Sequence, residues 1–423
     1  MADNTKIEWA DATVNAINGC TRISPGCGGP GHHGGCYAER LAATRLRNHP
    51  SRPGLAVMTS NGPRWTGKVH LHETELLKPL RWQRPRRIFW NAHGDTFHEA
   101  VSDEWIDSVF AVCALTPHHT HMILTKRSER MRAYMTGGTI ARQSAVWQAM
   151  YGYAKTAKAA DVLDSWYGGP GPHQWPLRNV WLGVSVEDQT RADERCEDFR
   201  NTPAAVKFVS YEPALGPVDW SGWEFVNQII AGGEGGPKAR PPHPDWFRST
   251  RDWCTPNDVA FFFKQWGEWE VALDRERDDP DWRADYSNNY VDRGKSKWLN
   301  LAGGSGFHGE RFHVMRRVGK KAAGRLLDGV EHNGFPSIAN EDQAVPEPLK
   351  RIIARVTHPV LSPSIEADTR LRDDLKLDDL DLQTIALDCD VEWGIEIRDL
   401  EWRGWVTPAS VAATIEKHTG NRP

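Results

Sequence analysis

The 423-residue sequence predicts an α/β chain of repeated β-α units with parallel strands, a barrel of the TIM type, followed by a small all-α domain. Three observations predict it. Six short runs rich in β-branched and aromatic residues end abruptly in polar residues and are separated by helix-like or loop segments. The runs are hydrophobic without alternation, which fits strands buried on both faces. Finally, a Pro-containing acidic stretch, FPSIANEDQAVPEP (335–348), precedes a region with its own amphipathic helical pattern.

Taken in order, residues 13–18 are a candidate first strand, and the six runs follow as RIFWNAHGD (87–95), HMILTKR (121–127), NVWLGVSVE (179–187), VKFVSYEP (206–213), VNQIIAGGE (226–234) and VAFFFKQWG (259–267). Residues 103–115 carry apolar side chains at helical spacing between the first two runs. In barrels of this kind the chemistry sits on loops after the carboxyl ends of the strands. Those ends hold Asn91 and Asp95, Lys126 and Arg127, Ser185 and Glu187, Tyr211 and Glu212, Glu234, and Lys264 with Gln265. After Trp269 comes a polar stretch, VALDRERDDPDWRADYSNNY, and then GKKAAGRLLDG, which reads as a short helix ended by glycine. The resulting division is a barrel over 1–275, an appendage packed on it over 276–334, a linker over 335–348 and a helical domain over 349–423.

Composition narrows the class. With 39% hydrophobic and 26% charged residues the chain reads as a soluble globular protein. No apolar stretch reaches the roughly 18 residues of a membrane span, and the polar N-terminus MADNTKIEWADA lacks a signal-peptide core, so a cytoplasmic setting is expected. The net charge of −4 supplies no bulk attraction for nucleic acid. RWQRPRR (81–87) is a local basic patch that reads either as a phosphate contact or as a solvated face. Most of the twenty tryptophans read as core.

Seven cysteines is an odd number, and four of them are isolated, so reduced thiols are expected. The other three, Cys20, Cys27 and Cys36, share one glycine-rich segment with His32 and His33. Three thiolates can hold three corners of a cubane iron–sulfur cluster and leave the fourth iron open. The same segment can also close a tetrahedral zinc site with His32 or His33 as fourth ligand. Spacing alone leaves both readings standing.

The segments TKIEWADATVNAINGCTRISPGC…CYAER, ILTKRSERM, NVWLGVSVEDQ, AAVKFVSYEPALGPVDW, AGGEGGPKARPPHPDWFRS, FFFKQWGEW and VGKKAAGRLLDG, in this order over residues 5 to about 334, resemble the phage-encoded three-Cys-motif family of radical-SAM-like proteins. The resemblance implies a partial barrel of the radical SAM kind, a [4Fe-4S] cluster on Cys20, Cys27 and Cys36, and S-adenosylmethionine as cosubstrate, with an electron donor as partner. It further implies a 5′-deoxyadenosyl radical and a nucleotide, a nucleic acid or a small precursor as substrate. The chain departs from the family pattern in three places: GGPGHHGG between the second and third cysteines, His93 in NAHGDTFHE, and Tyr211 where a cysteine often precedes the glutamate.

By the same analogy Tyr37 shields the cluster or contacts adenine, and Asp95 binds the methionyl ammonium with help from Asn91. Lys126 or Arg127 binds the methionyl carboxylate, Ser185 and Glu187 take the ribose hydroxyls, and adenine lies against Gly232 and Gly233. Glu212, Glu234, Lys264, Gln265 and Trp266 are left for the substrate, with Glu212, Lys264 and Gln265 as the catalytic candidates. The alternative from another class is a zinc-stabilised binding protein without catalysis.

The last seventy or so residues resemble an acyl carrier protein, on the segment DTRLRDDLKLDDLDLQTIALDCDVEWGIEI (368–397). The expected helices are 349–356, one starting after Asp378-Asp379-Leu380, and 408–418 with Thr407 as its N-cap. Carrier proteins have Asp-Ser-Leu where this chain has Asp378-Asp379-Leu380, so the resemblance implies a domain without the phosphopantetheine serine. Its acidic second helix, with Asp378, Asp379, Asp381, Asp388, Asp390 and Glu392, reads either as a docking face for a basic protein or as a solvated helix.

Overall fold

The structure is a computed structural model. It describes residues 7–28, 36–137, 139–154, 175–276, 295–303, 311–336, 345–357, 375–403 and 407–419 with a few positions between them. Contacts divide the chain into two compact units, Met1–Pro336 and Ser337–Pro423.

Seven strands form the sheet of the first unit: β1 (Ala12–Val14), β2 (Arg87–Trp90), β3 (Thr120–Thr125), β4 (Val180–Ser185), β5 (Val206–Tyr211), β6 (Gln228–Gly232) and β7 (Ala260–Gln265). They lie side by side in chain order and every pairing is parallel. The sheet curls into a half-barrel that is open between β1 and β7. Its two faces explain the unbroken hydrophobic runs. Phe89, Met122, Phe208, Ile230 and Phe262 pack with Trp9 in the inner cluster, whereas Ile88, Trp90, Ile123, Leu182, Val209 and Phe263 belong to the larger outer one. Each such side chain contributes about 1.5–3 kcal/mol when taken fully out of water. Gly183 makes room for this packing: a Cβ there would stand 2.4 Å from the ring of its register partner Phe208.

The outer face is covered by helices, among them α2 (Asp103–Ala114), α3 (Ser128–Thr136), α4 (Thr139–Tyr153), α5 (Gln189–Arg200) and α6 (Pro244–Cys254), while α1 (Tyr37–Ala43) opens after the last clustered cysteine. Asp188 caps α5 by accepting from Arg191 N–H, and Pro244 opens α6.

Two expectations need correction. The first strand does not run through 13–18: β1 stops at Val14, and the two-residue strand Ile17–Asn18 turns away to pair antiparallel with His70–Leu71. Asn91, at φ +57°, makes this break, because its N–H donates to Val14 O while its Oδ1 accepts from Ile17 N–H. The polar stretch after Trp269 also contains regular structure. Strands β8 (Trp269–Arg275), β9 (Ser296–Trp298) and β10 (Phe312–Arg317) form an antiparallel sheet in the order β8-β10-β9. Cross-strand pairs hold it across a bulge between Val271 and Leu273: Leu273 pairs with Val314, Glu270 opposes Arg316 and Asp274 opposes His313. Residues 281–290 of that stretch lie outside the described residues. GKKAAGRLLDG gives the short helix Lys320–Ala323, ended at Gly324 with φ +70°.

In the second unit the described helices are α7 (Glu347–Val356), α8 (Asp379–Trp393), α9 (Asp399–Trp402) and α10 (Pro408–Thr419). Leu349, Ile353, Leu382, Ile385, Trp402, Val411 and Ile415 share one core. Asp378 caps α8 through Leu380 and Asp381 N–H in a capping box, and Gly394 ends it in the left-handed region. Ahead of α10, Thr407 N–H donates to Ser410 Oγ at 3.1 Å. No helix among the described residues is long and apolar enough to cross a membrane.

Candidate functional site

The carboxyl ends of the seven strands and the loops above them enclose a cavity of about 480 Å³ in the first unit. Cys20, Cys27 and Cys36 all line it. The cysteine segment is shaped by short backbone bonds: Pro25–Cys27 is a single 3₁₀ turn, Cys27 N–H donates to Ser24 O at 3.0 Å, and Cys36 N–H donates to Cys27 O at 3.3 Å. This last bond joins the second and third cysteines across residues 29–35, so His32 and His33 lie outside the described residues. The three sulfurs are not grouped within 4.8 Å of one another. A single tetrahedral zinc ion, with Zn–S near 2.3 Å, needs thiolates about 3.8 Å apart.

The segment is fastened to the barrel through Glu187. Ser24 Oγ donates to its Oε1 at 2.6 Å, Arg195 Nη1 donates to its Oε2 at 2.9 Å, and Lys126 Nζ also bonds Oε1. Burial raises the Glu187 carboxyl, but Lys126, Arg195 and Ser24 outweigh it and hold the group at about 2. Gly26 must be bare to allow this approach, since a Cβ on it would lie 2.4 Å from Glu187 Oε1. Glu187 is therefore a buried anchor, and it does not line the cavity.

Beside Cys20, the Arg127 guanidinium reaches the sulfur at 3.6 Å and is itself held by Asp95, Glu99 and Thr21. Asp95 accepts four bonds from the protein: from Phe97 N–H and the Thr125 hydroxyl on Oδ1, and from Lys126 N–H and Arg127 on Oδ2. Burial, then Asp95, push the Cys20 thiol up to about 12 against the pull of Arg127, and burial raises Cys36 too. A metal that binds these sulfurs displaces their protons.

The remaining sequence candidates divide cleanly. Tyr37, Asn91, Lys126, Ser185, Gly233 and Glu234 line the cavity. Tyr37 is exposed, bonds Ala92 O at 2.9 Å and packs edge-on against His93, 5.6 Å between centroids. Gly233 has no space for a side chain, because a Cβ would meet Trp266 O at 2.1 Å. Glu234 is paired with Arg240 at 2.7 Å. Also in the lining, Lys264 Nζ donates to both oxygens of Glu212, at 2.8 and 2.7 Å, and Gln265 Nε2 donates to Glu212 Oε1 at 2.9 Å. Gln265 Oε1 is buried with no partner among the described residues. Gly232 and Trp266 fall outside the lining; the Trp266 indole is buried and donates to Leu326 O. The basic patch also lies elsewhere, with Arg86 over Trp82 and Arg87 over Phe335.

Sequence reasoning passed over Ser24, Arg40, Arg195 and Ser210. Arg40, Ser210 and Lys320 all face the cavity. Arg40, three residues after Tyr37 on α1, is exposed and has no carboxylate partner among the described residues. His93, noticed only as a departure, lines the cavity and accepts a bond from the buried Arg52.

No curated protein and no solved structure matches the chain. One family model does, described as a protein of unknown function and matching residues 4–336, the whole half-barrel with its cysteine segment and antiparallel sheet. The chain belongs to this family, DUF5131.

Proposed function

We propose that the chain is a radical S-adenosylmethionine enzyme that modifies a nucleotide, a nucleic acid or a precursor of one, on a partial barrel of the radical SAM kind. The observation that carries this reading is the set of three thiols lining one cavity, of which at least one pair stands farther apart than one zinc ion needs. Among the described residues no fourth cysteine joins them, since Cys113, Cys254 and Cys389 are buried elsewhere and Cys196 bonds Gly222 O. The donor set therefore fits a [4Fe-4S] cluster with one open iron. When bound, that cluster supplies the electron that cleaves S-adenosylmethionine to the 5′-deoxyadenosyl radical.

The protein's own residues orient and enclose the reactants. Arg127 holds positive charge beside Cys20, and Ser185 and Ser210 offer hydroxyls where the methionyl and ribose parts would lie, while Asn91, bonded to Ile17 N–H and Thr96, shapes the loop beside them. Gly233, packed against Trp266 O, lines the cavity where the adenine ring would lie. Glu212, Lys264 and Gln265 line the same cavity and face the substrate, with the Gln265 carbonyl free to accept from it. Arg40 at the rim suits a phosphate, which favours a nucleotide over an uncharged substrate. A reductant that delivers the electron is the partner this chemistry requires, and a reducing cytoplasm suits the free thiols.

For the second unit we propose a carrier-like helical bundle that docks a basic protein and bears no acyl chain. Leu380, Leu387 and Val391 are exposed on α8 among Asp379, Asp388, Asp390 and Glu392.

The test is anaerobic purification followed by incubation with S-adenosylmethionine and dithionite. A brown protein that releases 5′-deoxyadenosine supports the reading; a colourless, zinc-loaded protein that releases none favours a non-catalytic binding protein.

A further inference from the structure

We infer that His243, Asp245 and His313 form a second metal site, outside the cavity, which takes one divalent ion of the zinc type and clamps the antiparallel sheet to α6. A ring nitrogen from each histidine and a carboxylate oxygen of Asp245 all lie within 4.8 Å of one another. The motif PPHPDWFRS supplies the first two residues: His243 caps α6 and Asp245 sits in its first turn. His313 comes from β10, so the three ligands join two elements that are far apart in the chain.

The arrangement has features of a ligand set. Both imidazoles are buried, and their centroids stand 4.2 Å apart at 72°. His313 Nε2 is 3.1 Å from Asp245 Oδ2. Its Nδ1 is 3.3 Å from Asp274 Oδ1 but lacks hydrogen-bond alignment, which leaves a buried ring nitrogen without a partner. An ion on Nε2 fixes the proton on Nδ1 and turns that contact into the carboxylate–histidine–metal arrangement that orients ligating histidines. Asp274 is already in register opposite His313. Arg248 takes Asp245 Oδ1 at 2.8 Å and Asp274 Oδ2 at 2.6 Å, which leaves Asp245 Oδ2 to His313, while Asp274 Oδ1 also accepts from Arg311 Nε at 3.0 Å.

One bond has to yield. His243 Nδ1 accepts from Asp245 N–H at 3.1 Å. An ion on Nδ1 takes that lone pair, and an ion on Nε2 moves the ring proton to Nδ1; either way the cap is exchanged for a metal bond. Two imidazoles and a carboxylate, with no thiolate, suit zinc with water as the fourth ligand. Asp245 is partly exposed and gives that water its access.

The test uses the full-length protein with Cys20, Cys27 and Cys36 changed to Ser, so that thiols cannot hold the ion, stripped of metal and titrated with Co²⁺. The proposal expects one equivalent bound, with visible ligand-field bands and no near-ultraviolet thiolate charge-transfer band, and displacement by Zn²⁺ with a rise in Tm. Asp245→Asn and His313→Gln, each checked for a native circular dichroism spectrum, should weaken binding about tenfold or more. Should His313→Gln misfold, Asp245→Asn alone decides. A protein with Cys20, Cys27 and Cys36 replaced that retains no Co²⁺, or one whose affinity Asp245→Asn leaves unchanged, overturns the site and leaves a hydrogen-bonded cluster with no ion.

Discussion

Arg127 and Asp95 form a buried ion pair at 3.0 Å, and the same guanidinium nitrogen stands 3.6 Å from Cys20 Sγ. The pair ties the loop after β3 to the cysteine segment. An ammonium group that reaches Asp95 has to share the carboxylate with Arg127.

Replacing Asp95 by Ala therefore does two things. It removes a partner from Arg127, from two backbone N–H groups and from the Thr125 hydroxyl, which should cost about 1–3 kcal/mol in urea unfolding. It should also weaken S-adenosylmethionine binding in calorimetry. Unchanged stability contradicts the ion pair's role, and unchanged binding removes Asp95 from the ligand site.

Glu187→Gln leaves Lys126 and Arg195 without their counter-charge in a buried setting. A loss of about 3–5 kcal/mol is expected in chemical denaturation. Ser24→Ala, which removes one bond and no charge, should cost about 1 kcal/mol.

His121 and His93 make stability fall with acid. Burial is the chief cause in each, with positive neighbours adding to it, and they titrate at about 3 and about 4 against an ordinary value near 6.5. Because the unfolded chain takes up these protons first, the folded state loses stability as pH falls from about 6.5 toward 4 and 3. Urea midpoints measured between pH 7.5 and 4 should decline over that window, and His121→Gln should flatten the decline.

In the second unit Asp379 stands just inside α8, next to the capping Asp378, and on the proposed carrier-like reading it takes the place of a carrier protein's serine. A carboxylate cannot receive phosphopantetheine as a hydroxyl does. Coenzyme A and a broad phosphopantetheinyl transferase should leave the mass of the full chain unchanged; a gain of one phosphopantetheine group contradicts this. If the acidic face docks a basic protein, Asp379→Lys should reduce capture in a pull-down.

The parallel strands were legible because each is buried on both faces, so composition and length alone mark it. Their polar ends followed, and Asn91, Asp95, Lys126, Arg127, Ser185, Glu212, Lys264 and Gln265 all reach the cavity. Glu187 did not, since a carboxylate flanked by Lys126 and by Arg195, eight residues further along the chain, is satisfied inside the barrel, and that contact is invisible in a linear reading. The break after β1 depends on Asn91, more than seventy residues away. The antiparallel sheet was hidden by its charge: β8 carries Glu270 and Asp274, and their partners Arg316 and His313 come some forty residues later. His243 and His313 share no local spacing at all and meet only through that sheet.

The most direct test of the central claim is iron and acid-labile sulfide per chain after anaerobic reconstitution, compared across single cysteine variants. The account predicts about four of each in the parent protein and in Cys113→Ala, Cys196→Ala and Cys254→Ala, and loss of both in Cys20→Ala, Cys27→Ala and Cys36→Ala. Equal iron in Cys36→Ala, or loss only when His32 and His33 are both replaced, would contradict it.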